Sequence, residues 1–157
     1  EFQQNDHLLG EQLNLTYLLT FNFSHYLITM IGPHQGKELE LMLAGEKSLA
    51  VFHDQVFAPD PQISEDIIPE AAFAPYVQKG EITRYAEDVY FDIRQANIRY
   101  VCFTLRGQEW RAKFYLWYIN GLASGSILPS PEHEKIIGAL FDYSNDDIND
   151  FIKKISN

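Results

Sequence analysis

The sequence predicts an α+β fold, with an antiparallel sheet of about five to six strands in the N-terminal two-thirds and three C-terminal helices packed on one of its faces. Three observations carry that expectation. Leu13, Leu15, Tyr17, Leu19, Phe21 and Phe23 are apolar, while Asn14, Thr16, Thr20, Asn22 and Ser24 between and after them are polar, with Leu18 the exception. A period of two is the mark of a half-buried strand. Ile98 to Leu105 is a second, β-branched and aromatic run. Beyond it, the apolar residues recur at helical spacing and helix-start signals stand at Ser130-Pro131 and Ser144.

In chain order, the strand over 13–23 is followed by an apolar run from Tyr26 to Ile31. Gly32-Pro33-His34-Gln35-Gly36 then reads as a hairpin loop. Lys37 to Leu43 alternates Leu39, Leu41 and Leu43 with Glu38 and Glu40 and is read as the returning strand. Leu49 to His53 is a short fourth strand. Residues 54–75 hold Pro59, Pro61, Pro69 and Pro75, together with Asp54, Asp60, Glu65, Asp66 and Glu70 and no Lys or Arg. Lost backbone donors and like charges predict a long acidic surface loop, with one helical turn near Glu70–Ala74. Val89 to Arg94 and Ile98 to Leu105 close the sheet around a turn at Gln95-Ala96-Asn97.

The first of the three helices spans GQEWRAKFYLWYINGL, 107–122. On a helical wheel Phe114, Trp117, Tyr118 and Gly121 fall within about 80° of Trp110, and the apolar arc continues through Tyr115, Ile119 and Leu116. That leaves Glu109, Lys113 and Asn120 as a narrow wet stripe, so both tryptophans are expected inside. Ser130 caps the second helix with Pro131 at its first position. In the third, Ile148, Phe151, Ile152 and Ile155 form one stripe, with Asp146 and Asp147 at the positive end and Lys153 and Lys154 at the negative end.

A chain of 157 residues fits one domain, read as 3–157, and buries about 70% of its unfolded surface without a metal or disulfide. Glu1-Phe2, without Met, reads as a cloning remnant or a processed end. The 11 Phe, 9 Tyr and 2 Trp exceed what a minimal core needs, which admits a pocket or an interface, a homodimer included. A net charge of −10 opposes nucleic-acid and anionic-membrane binding and suits a basic partner. Cys102 alone forms no internal disulfide, and no leader or membrane span is legible, so a cytoplasmic protein is expected.

Catalytic motifs are missing. There is no phosphate-cradling glycine loop, and the five histidines never stand at H-x-x-x-H spacing. Gly121-Leu122-Ala123-Ser124-Gly125 lacks the residue a nucleophile elbow needs between serine and glycine. No catalytic residue, metal or cofactor is expected. Arg111 is the exception that needs explaining, because it falls inside the apolar arc of its helix. It is either a structural ion pair or snorkelled arginine, or an anion-binding fork in an aromatic pocket with Tyr115, Tyr118 and His133. His133, in an arc with Ile136, Leu140 and Tyr143, reads first as a packing or capping residue.

Size, charge and the lack of motifs point to a non-enzymatic acidic protein-binding domain. The class expected is an inhibitor or immunity-type protein that neutralises a basic partner such as a nuclease toxin. Its contact residues are expected in the acidic loop, at Asp54, Asp60, Glu65, Asp66 and Glu70. Two alternatives stand beside it: a small-ligand or enzyme domain whose aromatic pocket contains Arg111, and a structural subunit of a homo-oligomer.

Overall fold

A computed structural model describes residues 34–56, 63–92 and 95–155. Over these residues the protein is α+β. Helix α1 (Glu38–Leu43) leads into strand β1 (Leu49–Val56), and α2 (Glu70–Gln78) precedes strands β2 (Ile82–Phe91) and β3 (Ala96–Leu105). Helices α3 (Glu109–Ala123), α4 (Pro131–Leu140) and α5 (Asn145–Ile155) follow. The three strands form an antiparallel sheet in the order β1-β3-β2.

Beta3 is central because it is apolar on both faces. Ile98, Tyr100 and Cys102 face α3 and α4, together with Leu49, Val89, Ala112, Tyr115 and Ile119. The intervening Val101 and Phe103 face the other way, onto Met42, Ala50, Phe73 and Ile82. Both pairings place odd residues opposite even ones, Val51 and Tyr85 each lying across from Cys102, so the two-residue period sorts all three strands consistently. The sheet is therefore covered on both sides, by α3 and α4 on one face and by α1 and α2 on the other. An expectation of helices on one face alone is corrected by this.

Five to six strands were expected and three are seen among the described residues. The strands read at 13–23 and 26–31 lie outside the described residues. The one read at 37–43 is a helix, α1. Leu39 and Met42 explain it: they are three apart, and both reach the core layer under β1, while Leu43 stands exposed. Leu, Glu and Met are strong helix formers, and the segment has no β-branched residue to hold it extended. Gly45, at φ +75°, ends the helix by letting its own N–H reach the Met42 carbonyl. Residues 54–75 also divide differently from the reading above. Beta1 continues to Val56, Asp60 and its flanking prolines lie outside the described residues, and the single turn near Glu70 is a helix of nine residues. Its Phe73 stacks on Phe103 at 4.0 Å.

The β2–β3 connection sits earlier than read, since β2 ends at Phe91 and β3 starts at Ala96, and Gln95, at φ +51°, donates its side-chain amide to the Asp92 carbonyl at 2.7 Å. The helix starts are where the sequence places them. Ser130 Oγ accepts the His133 N–H, Pro131 opens α4, and Ser144 Oγ accepts the Asp147 N–H ahead of α5.

Helix α3 is rotated from its expected orientation. Trp110 and Trp117 are 56% and 60% exposed, whereas Ala112, Tyr115, Leu116, Tyr118 and Ile119 are buried. The buried arc is centred about 150° from Trp110 on the wheel. The tryptophans extend the wet stripe of Lys113 and Asn120 instead of lining the core. Helix α4 is rotated likewise: Ile136 is exposed, and Glu134, Ile137 and Gly138 face inward. At Gly138 a Cβ would lie 2.5 Å from Cγ1 of Ile148, so glycine there is what lets α5 approach α4.

Candidate functional site

Alongside β1 lies a cleft of about 940 Å³ bounded by α1, the approach to α2, and helices α3 to α5. Its apolar walls come from both core layers, Phe52 and Phe73 on one side and Tyr115, Phe141 and Tyr143 on the other. Its charges are lopsided. Six carboxylates line it, from Glu38, Glu40, Asp66, Glu134, Asp147 and Asp150, against two lysines, Lys47 and Lys154.

Lys47 does not balance that charge, because the fold has already engaged it. It is 2% exposed. Its ammonium donates to the Phe141 carbonyl at 3.1 Å, meets His34 Nδ1 at 3.3 Å, and sits over the rings of Phe141 and Tyr143 at 5.2 and 5.0 Å. Burial pushes its pKa down to about 8, against the opposing pull of Glu38 and Asp142. Burial, and then the Lys47 charge, lower the pKa of His34.

Glu134 is the reverse case. It stands in the first turn of α4, 5% exposed, and its Oε1 has no hydrogen-bond partner among the described residues. Burial alone pushes its carboxyl up to about 7. Nearby, Tyr118 and His133 pack edge to face at 5.6 Å, and Tyr118 Oη and His133 Nδ1 are also buried without partners among the described residues. The Tyr118 phenol is held well above its ordinary range by burial first and by the Glu134 charge second. Tyr115 is raised by burial too, with its ring against Tyr100 and Phe141 at 6.1 and 5.4 Å.

Of the four residues expected in an aromatic pocket, Tyr118 and His133 come together and Tyr115 forms cleft wall. Arg111 belongs elsewhere. Its Nη1 donates to the Leu140 carbonyl at 2.6 Å and pairs with Asp142 Oδ1 at 3.1 Å, and its Nε donates to Gln108 Oε1 at 3.0 Å. It therefore caps the C-terminal end of α4, about 10 Å along the helix from His133. Asp142, at φ +58°, completes the clamp by accepting the Ser48 N–H on Oδ2 at 2.7 Å.

The five loop carboxylates do not form one free face either. Glu70 is held bidentately by Arg84 Nε at 3.0 and 2.8 Å, and Glu65 accepts the Ala71 N–H at the start of α2. Asp54 accepts the N–H of its neighbour Gln55, and Asp60 lies outside the described residues. Of the four that are described, Asp66 alone lines the cleft. Sequence reasoning missed Glu134, Lys47 and the carboxylates of α1 and α5. For Glu134 a signal existed: Glu134, Ile137, Gly138 and Phe141 stand at i, i+3, i+4 and i+7, a glutamate inside an inward-facing stripe.

Among the described residues no group of three or more His, Cys, Asp or Glu is placed to hold a metal ion, and no helix is long and apolar enough to cross a membrane. Cys102 is buried mid-strand, its thiol pushed up to about 12 by desolvation, which makes it a small core residue. No protein-family model, curated protein or solved structure matches the chain.

Proposed function

We propose that this chain is a non-enzymatic acidic protein-binding domain, an inhibitor or immunity-type protein that neutralises a basic partner such as a nuclease toxin. The observation that supports it is the cleft beside β1, where six carboxylates face two lysines and one of those lysines is committed to the core. A concave acidic surface with aromatic walls speeds the approach of a basic segment and offers its alkyl stems an apolar seat. The contact surface is thereby moved from the loop at 54–75 to the cleft, with Asp66 the residue common to both.

Magnetic-resonance titration of the labelled protein with a blocked tri-lysine peptide tests this. Shifts concentrated on α1, β1 and α5 are expected, weakening as salt is raised. Replacing Glu38 and Glu40 by Gln and Asp147 and Asp150 by Asn should flatten that salt dependence. Shifts scattered over the surface, or unchanged in the four-fold variant, would refute the reading. A second reading, a small-ligand domain, is favoured by one observation: the unpartnered polar atoms of Tyr118 and His133 between α3 and α4.

A further inference from the structure

We infer that Glu134 is the point at which the cleft receives one extended basic side chain of the partner, lysine or arginine, with the cationic head on the Glu134 carboxylate and the stem along Tyr115. The inference rests on the basic-partner reading above and adds to it a specific anchor.

Four observations converge on Glu134. It lines the cleft and only 5% of it is exposed, so it stands at the buried floor of that cavity. Its Oε1 lacks a partner among the described residues, a state that is unfavourable for a buried polar atom. Among the described residues no cation has been brought to it. Lys47 is turned to the Phe141 carbonyl and Arg111 to Leu140 and Asp142, both at the far end of α4. Finally, the wall beside it is aromatic, and Tyr115 is a ring along which a methylene stem lies favourably.

The rest of the surroundings favour a cation over other ligands. From α3, Tyr115 and Tyr118 face Glu134 as neutral phenols. His133 adjoins it on α4, and Asp147 and Asp150 approach the cleft from α5, with His53 on the β1 wall. An anion would meet these carboxylates, and a metal would find no cluster of three ligands among the described residues. A lone buried carboxylate with apolar walls suits a single ammonium or guanidinium. The carboxyl holds its proton to about pH 7, so a cation binding below that pH must displace the proton.

Calorimetric titration with blocked tri-lysine and tri-arginine peptides at about pH 6, in buffers of different ionisation enthalpy, reads both affinity and proton release. The wild type should release protons on binding. Glu134→Gln, isosteric with the neutral acid, should lose that release and weaken binding by about tenfold or more. Asp150→Asn, a carboxylate substitution on an exposed position of the same cleft, should keep the release. The stronger of the two peptides identifies the side chain. Binding without proton release, or equally tight binding by Glu134→Gln, overturns the anchor and leaves the acidic cleft standing. No binding of either peptide to the wild type overturns the basic-partner reading and the anchor with it. Proton release by the wild type and by Asp150→Asn is read independently of how the Gln variant folds, so the test holds even if that variant folds poorly.

Discussion

Replacing Glu134 by Gln should change how the protein's stability depends on pH, and the change follows from where the carboxyl sits. Its ordinary value of 4.5 is pushed up to about 7 by burial, with no charge partner contributing. The folded state thus holds the proton more tightly than the unfolded chain. Between these two values the unfolded chain ionises while the folded one does not, so stability falls as pH rises. The contribution is complete below about pH 4.5, lost progressively toward pH 7, and level above it. A displacement of that size corresponds to about 3 kcal/mol, as an order of magnitude. Glutamine has no proton to lose. The variant should match the wild type within about 1 kcal/mol near pH 5 and exceed it by about 3 kcal/mol near pH 8. Urea unfolding of both proteins across that range measures the difference, and other groups that titrate in the window, such as His34, cancel between them. Parallel stability curves would refute the argument. They would mean that the carboxylate is solvated in the folded state or already paired.

Two further outcomes follow from the cations at the other end of α4. Arg111→Ala should cost about 3 kcal/mol in urea unfolding, since it strands Asp142 and uncaps the Leu140 carbonyl, whereas a loss under about 0.5 kcal/mol would return Arg111 to the surface. Lys47 is pushed down to about 8, so the unfolded chain keeps its proton where the folded protein releases it. Wild-type stability should therefore gain as pH rises from about 8 toward 10, a gain that Lys47→Met abolishes and that unfolding curves at the two pH values will register.

Local signals were legible and orientations were not. A short run identified β1, alternation the end of β2, and β-branched and aromatic residues β3, while Ser130-Pro131 and Ser144 marked helix starts, because each depends only on its own few residues. Lys37–Leu43 went wrong because three leucines at alternate positions also satisfy a helical i, i+3 face, through Leu39 and Met42. The rotation of α3 was missed for a different reason. A wheel that counts tryptophan as core cannot tell Trp110 and Trp117 from Tyr115 and Tyr118, although only the tyrosines are covered by β3 and α4. A count of charges in the acidic loop does not show which of them the fold engages, Glu70 with Arg84 and Glu65 with the first turn of α2. The cleft itself was out of reach, since Glu38, Asp66, Tyr115, Glu134 and Asp147 come from five separate segments.

The acidity of the cleft has a physical origin in how the fold distributes its buried cations. A helix C-terminus leaves carbonyls without partners and carries partial negative charge. In α4 those carbonyls, at Ala139, Leu140 and Phe141, are met by Arg111 and Lys47. Asp142 joins the same knot through Arg111 and the Ser48 N–H. That knot fixes α4 to α3 and to the entry of β1, and it engages Lys47, the buried one of the two lysines that line the cleft, together with Arg111. At the opposite end of α4, Glu134 gains only the modest favour of a helix N-terminus, which does not offset burial, as its raised pKa records. Moving a cation to Glu134 would unpin the far end of the helix. The anchoring of α4 and the uncompensated carboxylate are thus two consequences of one arrangement, and the basic partner we propose would supply a cation without disturbing what holds the helix in place.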